Sequence, residues 1–491
     1  MHWIDITIFV LYMIVMLGVG FFFHKKNKDV DDYFVGGRTM GSWHIGLSVV
    51  ATDVGGGFSI GLGGLGFAIG LSGSWMLFTG LIGAWLAAVI LIPRIKKISE
   101  KRNMFTFPQV FEVLFNRRVA FFAGLISAIG YIGFTSSQLL AGAKLASATF
   151  PEISLSNALL LMGFIAISYT VMGGLKAVIY TDTIQWIVLI GGLMFVGLPF
   201  GYFAIGGLDS IRASLPQEFI RLDNLTWQTL LNWFVTIIPI WFVGMTLYQR
   251  IYATRDTKTA KKAWFIAGIF EYPFMAFMGV LLGMFARVAF NQGMFMQLGY
   301  DNMEDFDPEM GLPLLLRNVL PFGVMGLLLS AYFSAILSTA DSCLMAASGN
   351  VLTDLLDKIK KKPRWMNNSL SLSKWLTLFI GVSALLIALK METVLDLMLY
   401  SYAFMVSGLL VPLLGGLFLK KKYPMAAIPA MILGGFTTVF FIESDISLPL
   451  NLEPNIFGIM VSAGTYLGIH FIIKYNERHN KRVMQNVKKI H

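Results

Sequence analysis

The chain is poor in charge and in cysteine. Only 13% of its 491 residues are Asp, Glu, Lys or Arg, where a soluble domain holds about a quarter. That deficit excludes an ordinary water-soluble fold. The single cysteine, Cys343, excludes an internal disulfide framework. No P-loop, zinc-ligand spacing, dinucleotide fingerprint or nucleophile elbow occurs in a sensible context. The chain is therefore not expected to be an enzyme, and any uphill work it does must draw on an ion gradient rather than ATP. No stretch is long and polar enough to form a soluble domain. The tail after Lys474 is too short for a signalling module, and the first apolar run, with no basic residues before it, reads as a span rather than a cleavable signal.

What is abundant is apolar. Hydrophobic residues make up 56% and the mean hydropathy is +0.69, so the expectation is an all-α polytopic membrane protein. Apolar runs mark about thirteen transmembrane helices, all within one integral membrane unit over 1–491. The net charge of +10 could suggest nucleic acid, but its distribution points to lipid. Lys and Arg gather in short loops, such as Lys25-Lys26, Arg94 to Lys97, Arg255 to Lys262 and Lys420 to Lys422. The opposite loops are acidic, as in Asp301, Glu304, Asp305 and Asp307. By the positive-inside rule this expects a multi-pass plasma (inner) membrane protein, N-terminus outside and C-terminus cytoplasmic.

One span, roughly 42–70, breaks the rules of a plain membrane helix. It holds Ala51-Thr52-Asp53-Val54-Gly55-Gly56-Gly57-Phe58 near its middle. Each glycine costs a helix interior about 1 kcal/mol, and a charge at bilayer centre costs about 2.5–3.5 kcal/mol. Backbone that unwinds at such depth must face protein or a water-filled cavity, where its freed carbonyls can hold a hard cation. Close helix packing is the plainer use of small residues. Five spans later a second interruption occurs at Pro239 and Gly244. An odd offset inverts the second unit relative to the first, and paired interruptions in inverted halves mark transporter sites.

The ninth span carries Ser334-Ala335-Ile336-Leu337-Ser338-Thr339-Ala340-Asp341-Ser342. Positions 335, 338, 339 and 342 share one helical face, flanked by Asp341. Hydroxyls and carbonyls are the oxygen donors a hard cation prefers, although Ser and Thr also bond back to their own helix. Asp182 lies in the inner third of the sixth span, where it serves either a site or a helix start. Lys144 is expected to snorkel to its helix end, Glu271 to lie near the cytoplasmic side, and His44 to be a helix-end residue. Trp241, Tyr400 and Tyr402 read as core or interface aromatics.

The motifs taken together resemble the sodium:solute symporter family. They are Asp32-Tyr33-Phe34 with Gly36-Gly37-Arg38, then Ala51-Thr52-Asp53-Val54. After them come Tyr169-Thr170-Val171-Met172-Gly173-Gly174 with Thr181-Asp182 and Gln185, then Tyr248-Gln249-Arg250, and last Leu337-Ser338-Thr339-Ala340-Asp341-Ser342. The resemblance implies a LeuT-type core of five plus five inverted helices, with repeats at roughly 42–205 and 228–419 and peripheral helices near 3–23, 424–443 and 456–473. It implies a sodium site of the carbonyls of Ala51, Val54 and Ala335 and the hydroxyls of Ser338 and Thr339. A second sodium site known in some members maps to Asp182, Ser338, Asp341 and Ser342, with Asp341 replacing a hydroxyl. The solute pocket maps to Asp53, Gly55, Gly56, Gly57, Phe58, Gln138, Trp241 and Tyr402.

The resulting expectation is a sodium-coupled symporter importing a small polar solute, neutral or zwitterionic, such as an amino acid, osmolyte or sugar-like molecule. Its partners are sodium, that solute and the lipid bilayer, with no nucleic acid. Two alternatives stay open: proton coupling through Asp53, Asp182 and Asp341, or a solute sensor or facilitator of the same fold.

Overall fold

The computed structural model describes residues 3–26, 38–150, 152–173, 175–356, 369–444 and 446–490. For some helical positions, Gly56, Gly57 and Phe58 among them, it describes the backbone alone. The motif residues Asp32, Tyr33, Phe34, Gly36 and Gly37 lie outside this set. Every long element among the described residues is a helix. By length and composition eight are able to cross a membrane, and a ninth is a bent pair. The expected figure of about thirteen also counts shorter apolar helices and divides the run Ser59–Ser99, which turns at Gly70 (φ 71°).

In chain order the principal helices are α1 (Trp3–Lys26), α2 (Ser42–Asp53), α3 (Gly55–Ile69), α4 (Trp75–Leu86), α5 (Arg117–Thr149), α6 (Leu155–Gly173) and α7 (Leu175–Gly192). They are followed by α8 (Trp227–Val243), α9 (Met245–Ala253), α10 (Thr257–Ile269), α11 (Ala276–Asn291), α12 (Pro308–Val319), α13 (Val324–Gly349), α14 (Ser369–Ala388), α15 (Val394–Phe418), α16 (Pro424–Glu443) and α17 (Pro454–Ile490).

Both expected interruptions are present. α2 stops at Asp53, and Gly55 takes φ +49°, a left-handed conformation that side chains rarely adopt. α8 stops at Val243, Gly244 is extended (ψ 114°), and α9 departs at 43°. Farther along α3 the glycines do the plainer job. A Cβ on Gly66 would lie 2.2 Å from the Val280 carbonyl of α11, so the two backbones touch as small residues allow in membranes.

α13 is the centre of the bundle. It is buried almost without pause from Met325 to Gly349 and packs against α1, α3, α5 and α7. Its first turn has backbone N–H groups with no helical acceptor. The buried Asp5 carboxylate of α1 supplies one, taking the N–H of Gly323 at 2.7 Å and of Gly326 at 2.9 Å. α15 is capped the same way, by Glu309 of α12, which accepts from the N–H groups of Val394 and Leu395. Glu309 also pairs with Lys144 at 2.6 Å, and Asp307 lies 2.5 Å from the same ammonium. The expectation that Lys144 snorkels out of its helix is therefore corrected: it is 1% exposed, because two carboxylates meet it inside.

Candidate functional site

The break after α2 faces the hydroxyl-bearing side of α13. The Thr339 hydroxyl donates to the Ala51 carbonyl at 3.0 Å and lies 3.2 Å from that of Ala335. Gly55 is a glycine for this contact as well as for its φ, since a Cβ there would come within 2.6 Å of Thr339 Oγ1. Three of the five expected sodium-ligand positions thus meet at the Thr339 hydroxyl, whose contact with Ala335 is also the usual back-bond of a helical threonine. Val54 is fully buried at the turn between the two helices. Ser338 is beside them, but its hydroxyl is turned to the Oδ1 of Asp182. The donors are all hard oxygens and fit sodium.

Asp182 is not interfacial. It is buried in α7 and holds four α-helices together. Ser48 of α2 donates to its Oδ2 at 2.5 Å, Ser338 of α13 to its Oδ1, and Arg250 of α9 approaches Oδ2 at 3.4 Å. The Arg250 guanidinium is also fully buried. Its remaining N–H groups go to Ser48 Oγ (3.1 Å), the Thr246 carbonyl (3.2 Å) and Ser342 Oγ (3.0 Å). A fixed positive charge therefore rests on Asp182 and Ser342, two of the positions mapped to a second sodium. Asp341, the third, accepts from Thr170 on α6, and its other oxygen meets no donor among the described residues.

The positions mapped to the solute pocket are spread around the same break. The Tyr402 hydroxyl of α15 donates to Asp53 Oδ1 at 3.4 Å, and its ring packs edge-on against Phe134 of α5. Trp241 of α8 is fully buried, its ring lying over Gly83 of α4 and edge-on to Trp264. Gln138 is buried in α5 with its amide on Ser137 Oγ at 3.3 Å. Gly56, Gly57 and Phe58 lie in the first turns of α3, and the side chain of Phe58 is outside the described set.

Glu271 is the main correction to the sequence reading. Expected near the cytoplasmic side, it is instead 0% exposed and its carboxyl meets that of Asp53. It sits in the widened turn Phe270–Met275 between α10 and α11, where Tyr272 leaves helical geometry and Pro273 removes a backbone donor. Arg250 enters the sequence reading only within the motif Tyr248-Gln249-Arg250. Pro273 two residues on was the one available sign for Glu271. For Arg250 it was the dipeptide Gln249-Arg250 so soon after the Gly244 break.

Comparison with known proteins agrees with this geometry. The sequence profile described as the sodium:solute symporter family matches residues 33–434. The high-affinity proline transporter of Bacillus subtilis (strain 168) is 26% identical over 448 residues, covering 88% of this chain and 91% of that one. The osmoregulated proline transporter of the same strain is 26% identical over 499 residues, covering 98% and 97%. Sodium/glucose cotransporter 1 of Ovis aries is 26% identical over 423 residues, which is 77% of this chain and 62% of that one. Among solved structures, a Na+-coupled sialic acid symporter in a substrate-bound outward-open state superposes with a TM-score of 0.77 at 22% identity, covering 94% and 96%. The fold is thus the all-helical LeuT type.

Proposed function

Because this chain belongs to the sodium:solute symporter family, a family of transporters rather than enzymes, we propose that it imports a small polar organic solute together with sodium by alternating access. The solute is neutral or zwitterionic. The protein resides in the plasma membrane with its N-terminus outside and its C-terminus in the cytoplasm, as its loop charges favour. The core is two inverted five-helix units, α2 to α7 and α8 to α15, each opening on an interrupted helix.

One observation carries this reading: the Thr339 hydroxyl on the Ala51 carbonyl, against the left-handed Gly55. Sodium held by the carbonyls of Ala51, Val54 and Ala335 and the hydroxyls of Ser338 and Thr339 ties the α2–α3 break to α13. In binding, the ion replaces water with these oxygens, and the oxygens come from two helices that move apart when the pocket opens inward. Sodium thereby favours the arrangement in which both helices hold it, and solute binds to the pocket so completed. One sodium entering releases about 2.3 kcal/mol per 100 mV of membrane potential. Of the second set, Asp182 and Ser342 serve a different end in this chain. Arg250 supplies the positive charge there, so one sodium per solute is the proposed stoichiometry.

The test is uptake into proteoliposomes with sodium removed at fixed pH. Sodium-coupled transport predicts uphill accumulation that collapses when the sodium gradient is dissipated. Accumulation that follows a proton gradient instead, or a solute that only equilibrates, refutes the proposal.

A further inference from the structure

Asp53 and Glu271 face each other with no positive charge between them. Neither carboxyl forms an ion pair with a Lys, Arg or His among the described residues. Asp53 has the Tyr402 hydroxyl and a carboxyl–carboxyl hydrogen bond with Glu271, whose oxygens meet no other partner among the described residues. Glu271 is 0% exposed and Asp53 5%. Two like charges buried side by side are strongly unfavourable unless a cation joins them, and the chain has gone out of its way to keep this pair. Gly80 of α4 lies so close that a Cβ there would be 2.1 Å from Glu271 Oε2. Any other residue would push the carboxylate away.

A second unmet group lies on the same side of α4. Gly83 follows Gly80 by three residues and so shares its face, about one turn away. The ring of Trp241 fills the space over Gly83, and its buried Nε1 has no acceptor among the described residues. A carboxyl pair with no cationic partner and an idle indole N–H, set against successive turns of one face of α4, match the two ends of a zwitterion.

We propose that the Asp53–Glu271 pair seats the ammonium group of the transported solute, with Trp241 Nε1 donating to the solute's carboxylate or another acceptor. This deepens the symport reading and rests on it: it narrows the solute from polar and neutral to amine-bearing. The buried Tyr402 and Trp241 side chains suit an organic ammonium, which gains from aromatic faces once it is desolvated. Sodium prefers several oxygen ligands and already has them at the α13 face.

The test uses the full-length protein in lipid nanodiscs. Its thermal unfolding is followed against a panel of amine solutes (amino acids and polyamines) and an amine-free panel of sugars and hydroxy acids, with and without sodium. A ligand of the native state raises the apparent midpoint. The expected result is stabilisation by one or more amine solutes, enhanced by sodium. Glu271→Gln and Asp53→Asn should each weaken that solute by about 30-fold or more, as expected when one partner of a buried charge pair is neutralised.

In both variants the shift produced by sodium alone should persist, which also shows that they are folded. Gly80→Ala, which crowds Glu271 without touching a charge, should weaken the amine solute as well. Stabilisation by amine-free solutes only, or by no solute of the panel, overturns the assignment. So does amine binding that survives Glu271→Gln, since the pair would then hold only a shared proton. Loss of the sodium-only shift in Glu271→Gln marks an ion site and overturns it too. Sodium-dependent uptake of a sugar would sink this inference while leaving the symport reading intact.

Discussion

Asp182 and Asp53 are both carboxylates deep in the bundle, and both touch α2, yet their surroundings are opposite. Asp182 is saturated: two serine hydroxyls and the Arg250 guanidinium cover its oxygens, and Arg250 in turn spends its N–H groups on Ser48, Thr246 and Ser342. Asp53 has one tyrosine hydroxyl and a second carboxyl, Glu271, that has no donor of its own. A closed network of this kind fixes how four helices meet, and only its Ser338 hydroxyl also borders the proposed ion site. An open pair fixes little and waits for a partner. The difference teaches that burial and charge alone do not mark a binding site; unmet hydrogen-bonding capacity does.

The contrast is broken most forcefully at Arg250. Arg250→Gln leaves Asp182 buried without its counter-charge, which costs about 3–5 kcal/mol for a pair of this kind. The variant should melt far below the parent in nanodiscs, and adding Asp182→Asn should restore much of the loss. If Arg250→Gln melts normally, the network does not hold the helices. Next comes Lys144→Met, which strips Glu309 and Asp307 of their ammonium but leaves Glu309 its two backbone N–H groups. A loss of about 2 kcal/mol is expected from the unpaired partner, read as a lower unfolding midpoint.

Thr339→Ala removes a single hydroxyl, and a stability loss of about 1 kcal/mol is expected. Its main effect should fall on sodium: the concentration for half-maximal uptake should rise about tenfold, matching roughly 1.4 kcal/mol. Ser338→Ala should move it in the same direction. Unchanged sodium dependence in both variants would remove them from the ion site. Least damaging of all, Glu271→Gln should leave the unfolding midpoint of the solute-free protein unchanged or raise it, because it relieves a buried like-charge pair. A large destabilisation there would show that Glu271 is a structural group and would erase the contrast.

Much of this arrangement is legible in the chain. Asp53 beside three glycines violates the economy of a membrane helix, and the violation pointed to the break. The face formed by Ala335, Ser338 and Thr339 follows from helical periodicity, and the helix does turn it to Ala51. The partners of the acids were not legible. Arg250 is followed closely by a basic loop, so composition does not set it apart. Only the 43° bend after Gly244 carries it inward. Glu271 stands in an apolar run whose register is shifted by the widened turn at Pro273, and a shifted register cannot be counted from a fixed period. Lys144 failed for a related reason: its carboxylates lie 163 and 165 positions away (307 − 144 and 309 − 144), and distant pairing leaves no local trace.

The Asp5 grip on Gly323 and Gly326 has a consequence for how such a protein can be watched. α1 stands apart from the ten core helices, yet its carboxylate clasps the start of the very helix that carries Ser338 and Thr339. Any tilt of α13 must haul α1 along or tear that clasp. A fluorophore or spin label on the exposed side of the first helix is thus a gauge of α13 in motion.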